Sequence, residues 1–246
     1  MIVGIIPARY ASSRFPGKPL IDIQGKSMIQ RVYRQAAKSK LLHKVVVATD
    51  DERIFNHVKS FGGEVVMTAS DHPSGTDRCW DALQQLKGDY QYVINIQGDE
   101  PFIEPEQIDE LAAILKDGTT ELATQMIAVD NYEMLFDKGE VKIVLNKNNE
   151  ALYFSRVVIP FIKGVDEKEW HQHHQYFRHV GMYANRKDIL DKITKLPVSS
   201  LEKAESLEQL RWIENGFTIK CVVTKYESHC IDTPEDVEKV LRLMKN

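Results

Sequence analysis

The chain has 246 residues, of which 43% are hydrophobic and 28% charged, with 32 basic against 36 acidic side chains. A formal charge of −4 argues against nonspecific nucleic-acid binding as the main function. The three cysteines are widely separated, which excludes a disulfide framework, and no apolar run approaches the ~20 residues that span a bilayer. We therefore expect a cytoplasmic protein that binds neither nucleic acid nor membranes.

Short apolar runs alternate with amphipathic stretches along the chain. In chain order, the predicted strands are 2–6, 45–48, 64–67, 92–96, 122–127, 179–183 and 218–223. The predicted helices are 28–37, 52–61, 78–86, 107–115, 187–194, 207–214 and 235–244. Continuously apolar strands separated by helices indicate βαβ units around a sheet buried on both faces. The pattern predicts an α/β, Rossmann-like fold with a mostly parallel central sheet and flanking helices.

The middle of the chain departs from this alternation. Two short apolar runs, 142–145 and 151–154, flank a turn-forming stretch at 146–149, which predicts a small antiparallel flap. Residues 163–175 are polar and aperiodic and are predicted to form a surface loop. We expect one domain, 1–246, with the flap as an insertion at about 140–178.

The connection after the first strand, residues 7–20, carries three cations, Arg9, Arg14 and Lys18, together with Ser12 and Ser13. Ligands of open α/β sheets bind outside the carboxyl ends of strands, where these groups could hold a triphosphate by charge-assisted hydrogen bonds. Neither G-x-x-x-x-G-K-[ST] nor G-x-G-x-x-G occurs here, so the fingerprints of a P-loop kinase and of a dinucleotide oxidoreductase are missing. The alternative is a solvated basic loop.

Acidic residues follow another buried strand. Asp99 and Glu100 come directly after Gly98, and Pro101 ends the run. Mg²⁺ takes hard oxygen ligands, usually one or two carboxylates with substrate phosphates and water, and Asp99 is the better placed of the two acids. The alternative is a pair of ordinary turn acids.

Two further stretches lead into helices. In residues 72–78, Thr76 or Asp77 is the expected N-cap, while Arg78 and the Ser74-Gly75 backbone suggest nucleotide contact. In residues 230–237, Thr233, Pro234 and Asp236 form a helix start signal. Asp232 lies just outside that cap and is a candidate second metal ligand, the alternative being an ordinary loop aspartate.

Taken together, these stretches resemble the 3-deoxy-manno-octulosonate (Kdo) cytidylyltransferase family. The matching motifs are Ile5-Ile6-Pro7-Ala8-Arg9, Ser13-Arg14-Phe15-Pro16-Gly17-Lys18-Pro19-Leu20, Ala48-Thr49-Asp50-Asp51, Ser74-Gly75-Thr76-Asp77-Arg78, Asn95-Ile96-Gln97-Gly98-Asp99-Glu100-Pro101, Tyr153-Phe154-Ser155-Arg156, His179-Val180-Gly181-Met182-Tyr183, Leu207-Glu208-Gln209-Leu210-Arg211 and Ile231-Asp232-Thr233-Pro234-Glu235-Asp236. They run in order from residue 5 to near residue 237, so the resemblance covers nearly the whole chain.

The resemblance implies a fold of the nucleotide-diphospho-sugar transferase type and a reaction in which CTP and Kdo give CMP-Kdo and pyrophosphate for lipopolysaccharide biosynthesis. It further implies Mg²⁺ as the cofactor and a homodimer. By the same resemblance, the catalytic residues are Asp99, Asp232, Lys18 and Arg9, the metal ligands being Asp99 and Asp232. The nucleotide-binding residues are Arg9, Ser13, Lys18, Ser74, Gly75, Arg78 and Asp99, and the sugar-binding residues are Gln97, Arg156, His179, Tyr183, Glu208 and Gln209.

Two alternatives stay open. One is a cytidylyltransferase for a related keto-acid sugar, either 8-amino-Kdo or a sialic acid. The other, from a different class, is a noncatalytic nucleotide-binding regulator, which loss of either metal aspartate would favour; both are present in this chain.

Overall fold

The computed structural model describes residues 1–11, 15–227 and 230–243, which contain eleven strands, nine of them in one central sheet. The strands are β1 (Ile2–Ala8), β2 (Asp22–Ile23), β3 (Lys26–Ser27), β4 (Lys44–Thr49), β5 (Val65–Met67), β6 (Tyr92–Asn95), β7 (Leu122–Val129), β8 (Lys142–Leu145), β9 (Ala151–Ser155), β10 (Tyr176–Arg186) and β11 (Ile219–Val223). The helices are α1 (Met28–Ala36), α2 (Glu52–Ser60), α3 (Gly75–Gln85), α4 (Pro105–Ala113), α5 (Tyr132–Phe136), α6 (Trp170–His173), α7 (Lys187–Ile193), α8 (Ser200–Glu205), α9 (Gln209–Glu214) and α10 (Pro234–Leu243).

The central sheet is mostly parallel. Its order is β11-β7-β10-β6-β1-β4-β5, and β10 alone on this path runs antiparallel to its neighbours β6 and β7. The short strands β2 and β3 form a separate hairpin. The predicted α/β, Rossmann-like fold is therefore confirmed. Because β1, β4 and β6 are parallel, the loops after their carboxyl ends meet at one edge of the sheet, where the candidate site lies.

The sheet is buried on both faces. Along β1, Val3 and Ile5 belong to one apolar cluster, whereas Ile6 and Ala8 belong to another. Successive side chains of a strand point to opposite faces, so the two clusters are the two layers of the core. Complete burial of an aliphatic side chain such as Ile5 stabilises the fold by roughly 1.5–3 kcal/mol relative to exposure. These two layers keep the strands of the sheet rigid, so the loops of the site start from fixed positions.

The predicted flap is present as the β8–β9 hairpin. Its turn is fixed by Asn146, whose side-chain oxygen accepts hydrogen bonds from the backbone amides of Asn148 (2.8 Å) and Glu150 (3.0 Å). The turn also contacts the edge strand β11, where the Cys221 amide donates to Asn149 O at 2.8 Å. β8 pairs with β10 as well, so the hairpin extends the central sheet.

The segment 163–175 lies mostly at the surface, as predicted, but it is not a loop throughout. This segment contains α6, and Trp170 is only 3% exposed in an apolar cluster with Val129, Leu135 and Tyr176. Its indole Nε1 donates to Val165 O at 3.0 Å. One large aromatic anchor orders the segment, and a helix of four residues is too short to produce a visible hydrophobic period.

Helix boundaries differ in a few further places. The predicted helices 78–86 and 207–214 begin at Gly75 and Gln209, and the short helices α5 and α8 were not predicted. Both unpredicted helices begin at an N-cap side chain, Asn131 for α5 and Ser199 for α8. Among the described residues, no helix has both the length and the apolar character needed to cross a bilayer.

Candidate active site

A cavity of about 250 Å³ lies at the carboxyl edge of β1 and β6. Its wall brings together eight of the residues proposed from the sequence, namely Arg9, Lys18, Ser74, Gly75, Arg78, Gln97, Asp99 and Asp232. These come from four separate stretches of the chain, so the fold assembles them. We refer to this space as the first cavity. Ser13 and Arg14, also proposed from the sequence, lie outside the described residues.

Lys18 joins the two proposed metal ligands on the wall of the first cavity. Its Nζ lies 2.8 Å from Asp99 Oδ2 and 3.1 Å from Asp232 Oδ1. We call Asp99 and Asp232 the carboxylate pair. Although 133 positions separate the two aspartates, their side chains converge on one ammonium group.

Backbone geometry explains this convergence. The Ile231 amide donates to Asp99 O at 3.0 Å, which joins the two loops directly beside the carboxylate pair. Gly98 allows the loop to pass close to β1, since a Cβ there would lie 2.9 Å from Pro7 O. A side chain at Gly98 would therefore push Asp99 away from the cavity.

The Lys18 ammonium is charged in this setting. Burial, the largest single influence, disfavours the charge, but Coulombic attraction and hydrogen bonds from Asp99 and Asp232 together raise the pKa of Lys18 above its ordinary value. The first cavity therefore presents a stable cation between two carboxylates, with Arg9 and Arg78 on its wall. An anionic ligand such as a triphosphate would meet three cationic side chains there.

Asp236 fixes the loop that carries Asp232. Its Oδ2 accepts from the backbone amides of Asp232 (3.0 Å) and Thr233 (2.9 Å) and from the Thr233 hydroxyl (3.1 Å). Burial acts to raise the pKa of Asp236, but these hydrogen bonds lower it overall, so the group stays a carboxylate. The helix start predicted from Thr233, Pro234 and Asp236 thus also positions a proposed metal ligand.

The start of α3 forms another part of the wall. Ser74 is its N-cap, with Oγ accepting from the amides of Thr76 (3.1 Å) and Asp77 (3.3 Å). The prediction of Thr76 or Asp77 as N-cap is wrong because the helix begins two to three residues earlier than predicted, at Gly75. The helix dipole favours an anion or a hydrogen-bond acceptor at this end.

Arg78 is buried and held from several sides. Its Nη1 lies 2.6 Å from Thr68 Oγ1, 3.3 Å from Ala69 O and 3.2 Å from Asp50 Oδ1. No role was predicted for Asp50, which follows β4. Like Asp99, Asp50 is an acid after the carboxyl end of a parallel strand, so the same sequence rule locates both.

A second cavity, of about 510 Å³, adjoins the first because Asp232 lines both. His179 contributes to its wall, next to Arg178, which forms ion pairs with Glu140 and Glu227. Burial, reinforced by the Arg178 charge, lowers the pKa of His179 to about 3, so its imidazole is neutral at physiological pH. Of the proposed sugar-binding residues, Gln97 lines the first cavity and His179 the second.

Three other proposed sugar-binding residues lie in the packing behind the cavities. Glu208 Oε2 accepts from the Thr76 hydroxyl at 2.7 Å, which brings the residue before α9 next to the start of α3. Burial raises the pKa of Glu208, although its bonds with Thr76 and Ser74 and the Arg211 charge oppose this. Gln209 is buried, and Tyr183 packs its ring at 5.2 Å from His179 and edge-on to Trp212 at 5.0 Å, as measured between ring centroids.

Arg156 does not line either cavity. Its Nε donates to Glu205 O at 2.8 Å, and its terminal nitrogens lie 3.5 Å from Lys138 O and Ser206 O. Glu205 also accepts from the Arg156 amide and from the Ser155 hydroxyl. The arginine therefore ties the end of the flap to the loop between α8 and α9.

The donors in the first cavity fit a divalent cation that is bound by protein and nucleotide together better than one that is bound by protein ligands alone. In the described part of the chain, no cluster of three or more His, Cys, Asp or Glu side chains is arranged to hold a metal ion. The carboxylate pair offers hard oxygen ligands beside a basic wall, which matches the usual Mg²⁺ site of one or two carboxylates completed by phosphates and water. The chemistry of the donor set thus fits a nucleotide-bound Mg²⁺.

The class of this protein follows from its similarity to known proteins. Residues 3–222 match the cytidylyltransferase family model, and the chain is accordingly a nucleotidyltransferase of the cytidylyltransferase class. It is 54% identical to the 3-deoxy-manno-octulosonate cytidylyltransferase of Parabacteroides distasonis and 52% identical to that of Bacteroides thetaiotaomicron, covering 99% of this chain and 98% of each relative.

The solved structure of a CMP:2-keto-3-deoxy-manno-octonic acid synthetase complexed with CTP superimposes with a TM-score of 0.91 at 41% identity, covering 99% of this chain and 98% of that one. The chain belongs to the 3-deoxy-manno-octulosonate cytidylyltransferase family.

Proposed function

We propose that this protein transfers the cytidylyl group of CTP to Kdo, releasing pyrophosphate and supplying an activated sugar for lipopolysaccharide biosynthesis. The observation that carries the proposal is the convergence of Lys18 and the carboxylate pair in a cavity that also contains Arg9 and Arg78. The family of the relatives supports Kdo as the sugar. We also propose that this CTP-dependent step takes place in the cytoplasm.

The basic wall of the first cavity binds the nucleotide. Arg9, Lys18 and Arg78 neutralise the triphosphate by charge-assisted hydrogen bonds. Ser13 follows Arg9 closely in the sequence and is proposed to bind the nucleotide as well. Ser74 and Gly75, at the start of α3, lie near the cytosine. Because Asp50 and Thr68 hold the Arg78 guanidinium in place, it meets the nucleotide without first losing conformational freedom.

We infer that Mg²⁺ is the cofactor and that Asp99 and Asp232 hold it. When bound, Mg²⁺ offsets the negative charge of the triphosphate and eases deprotonation of the attacking hydroxyl. Lys18 keeps the carboxylate pair together, and Asp236 orients Asp232 through its backbone. The protein's own contribution is therefore a preorganised charged site.

Substitution at the α-phosphorus is the chemical step. The anomeric 2-hydroxyl oxygen of Kdo forms a bond to this phosphorus as the bond to pyrophosphate breaks in line, and the hydroxyl proton passes to the released pyrophosphate or to water. Two anions must approach each other, so charge neutralisation by Arg9, Lys18 and Arg78 lowers the main barrier to their encounter. The reaction uses neither a covalent nucleophile of the protein nor a dedicated general base.

The sugar lies on the side of the first cavity toward Gln97 and His179. Tyr183, Glu208 and Gln209 shape this side through the packing of β10 and α9. Arg156 remains the proposed partner of the sugar carboxylate. It acts on the sugar either by direct contact or by holding the loop that carries Glu205.

We further propose a homodimer that uses the flap side of the molecule. Val157 and Phe161 are 58% and 71% exposed, and Phe161 packs edge-on against Trp170 at 5.1 Å between ring centroids. Exposed apolar side chains of this kind are typical of interfaces. Sedimentation should give a dimer for the wild type and a monomer for Phe161→Asp. The same mass for both proteins would exclude this surface as the dimer interface.

A pyrophosphate-release assay with CTP, Mg²⁺ and a panel of sugar acids tests the proposed function. Turnover with Kdo supports it, whereas turnover restricted to 8-amino-Kdo or to a sialic acid would reassign the substrate. Nucleotide binding without turnover on any sugar would indicate the noncatalytic regulator. The Asp99→Asn variant provides the background rate.

A further inference from the structure

Thr124 of β7 lies at the one irregular place in the pairing of β7 with β10. The register there shifts between Val180 and Tyr183, so that β10 carries two additional residues, Gly181 and Met182. We call Val180–Tyr183 the bulge segment. Gln97 Nε2 donates to Gly181 O at 2.7 Å, and Thr124 contacts the carbonyl groups on either side of Gly181.

The hydroxyl of Thr124 is fully buried and has three polar neighbours at hydrogen-bond distance. Its Oγ1 lies 3.1 Å from Val180 O, 2.9 Å from Met182 O and 2.9 Å from His179 Nε2. The Tyr183 hydroxyl also faces it, but without the geometry of a hydrogen bond. A threonine hydroxyl has one proton to donate and two lone pairs that accept.

Proton counting fixes the direction of these bonds. The two carbonyl oxygens can only accept, so the single Thr124 proton points to one of them. Donation to His179 instead would leave three oxygen atoms in contact without a proton between them, in a buried place where unpaired polar groups are costly. The arrangement with the larger number of hydrogen bonds therefore has a protonated His179 Nε2 that donates to Thr124 Oγ1.

We propose that Thr124 is a positioning residue that fixes His179 as the Nε2–H tautomer, so that Nδ1 presents a hydrogen-bond acceptor to a hydroxyl of the sugar acid. The ring cannot reorient freely, because Phe154 and Tyr183 pack against it with centroids at 5.2 Å in both cases. His179 also contributes to the wall of the second cavity, and in the described residues no group is hydrogen-bonded to Nδ1.

The charge state agrees with this assignment. A neutral imidazole has one donor and one acceptor nitrogen, and burial holds the pKa of His179 at about 3. With Nε2 as the donor, the acceptor is Nδ1. The role assigned to the sugar hydroxyl rests on the proposed function, whereas the tautomer itself does not depend on it.

Nitrogen-15 NMR of the histidine side chains tests the tautomer directly. In the wild-type protein, the signals of His179, assigned by their absence from His179→Gln, should show a protonated Nε2 and an unprotonated Nδ1. Thr124→Ser keeps the hydroxyl and should keep the pattern. Thr124→Val has nearly the same shape without an acceptor, so it should lose the pure Nε2–H pattern.

Kinetics separate positioning from a purely structural role. Thr124→Val should raise the KM for Kdo up to about tenfold, the loss expected for one hydrogen bond, while the KM for CTP changes little. The melting temperature should fall, because valine leaves buried polar groups without their partner. Thr124→Ser should restore the wild-type KM. Equal changes in the KM of both substrates would contradict the proposal.

The outcomes distinguish this inference from the proposed function. An Nδ1–H signal for His179 in the wild type would overturn the inference even if Kdo is the substrate. Absence of turnover with Kdo would overturn the proposed function and leave the tautomer assignment to the spectrum. If Thr124→Val fails to fold, the wild-type and Thr124→Ser spectra still decide.

Discussion

The first cavity and the packing around His179 and the bulge segment are built from different kinds of groups. The first has charged side chains on loop ends, with Lys18 held between two carboxylates. The region of His179 and the bulge segment has packed rings, a neutral imidazole and a buried hydroxyl. A highly charged nucleotide needs strong opposite charge, whereas a polyhydroxylated sugar is recognised by the direction of single hydrogen bonds. The difference suggests that substitutions in the first region abolish chemistry and those in the second change selectivity.

Neutralising either member of the carboxylate pair should have the largest effect. Asp99→Asn or Asp232→Asn removes an oxygen ligand of the proposed Mg²⁺, and kcat should fall by about 10²–10³-fold, corresponding to several kcal/mol of transition-state stabilisation. The fold should persist because each side chain contributes little apolar volume. Steady-state rates over a Mg²⁺ titration provide the measurement.

Asp130→Asn is the matched control, since Asp130 is an exposed aspartate whose bond is to its neighbour Asn131. It should retain the wild-type rate. Near-wild-type turnover of Asp99→Asn at limiting Mg²⁺ would remove the distinction between the two regions.

Lys18→Met should rank next. It removes a charge-assisted contact to the triphosphate, so kcat/KM for CTP should fall by about 10–100-fold, the equivalent of roughly 1.5–3 kcal/mol. It also leaves the carboxylate pair without its shared cation. Lys18→Arg keeps the charge and should lose less, as initial rates at varied CTP will show. A change confined to the KM for Kdo would argue that Lys18 belongs to the sugar side.

Asp236 tests whether the first region depends on its supporting contacts. Asp236→Ala removes the acceptor of the Asp232 and Thr233 amides and should reduce activity at limiting Mg²⁺ by about tenfold, as for other residues that orient metal ligands. Asp236→Asn retains one acceptor oxygen and should lose less. Identical Mg²⁺ dependence in both variants and the wild type would show that Asp232 is oriented without this contact.

The first region was largely predictable from the sequence because it follows a local rule. Ligand-binding residues come directly after buried parallel strands, so Arg9 and Asp99 can be located once β1 and β6 are recognised. Apolar periodicity also defined the strands and the flap. Asp50 obeys the same rule after β4 and could have been located in the same way, whereas its pairing with Arg78 is apparent only in three dimensions.

The second region was less predictable because it depends on register. A run of residues such as 179–183 indicates a strand but does not show where two additional residues enter its pairing. The role of Thr124 follows only from that bulge, and Trp170 became visible as an anchor only in the packed cluster. Such contacts are tertiary, and a hydrophobic pattern carries no information about them.

His179 should give the second region a distinct dependence of stability on pH. Its folded-state pKa of about 3 lies below the unfolded-state value of 6.5, so the unfolded chain binds the proton more readily. The stability due to the neutral ring is fully present above pH 6.5 and is lost as the pH falls. Between pH 6.5 and 5.5 the wild type should lose about 1 kcal/mol more unfolding free energy than His179→Gln.

Urea unfolding at several pH values measures this difference in slope, which does not depend on the absolute stability of the variant. His173→Gln, at an exposed position, serves as the control and should follow the wild type. Parallel curves for the wild type and His179→Gln would show that His179 is not held neutral by its surroundings.

Substitution of Arg156 should have the smallest effect on kinetics. It tests to which of the two regions Arg156 belongs. Its best contact, with Glu205 O at 2.8 Å, fixes the loop that leads to Glu208 and α9. Arg156→Ala should raise the KM for Kdo by about threefold to tenfold, corresponding to roughly 0.5–1.5 kcal/mol for one hydrogen bond, and leave the KM for CTP unchanged. Arg156→Lys keeps the charge but cannot reproduce the fork of donors, so recovery by lysine would indicate direct contact with the sugar carboxylate. If Arg156→Lys does not restore the wild-type KM for Kdo, the role of Arg156 is to hold the loop. A change in the KM for CTP alone would assign Arg156 to the first region.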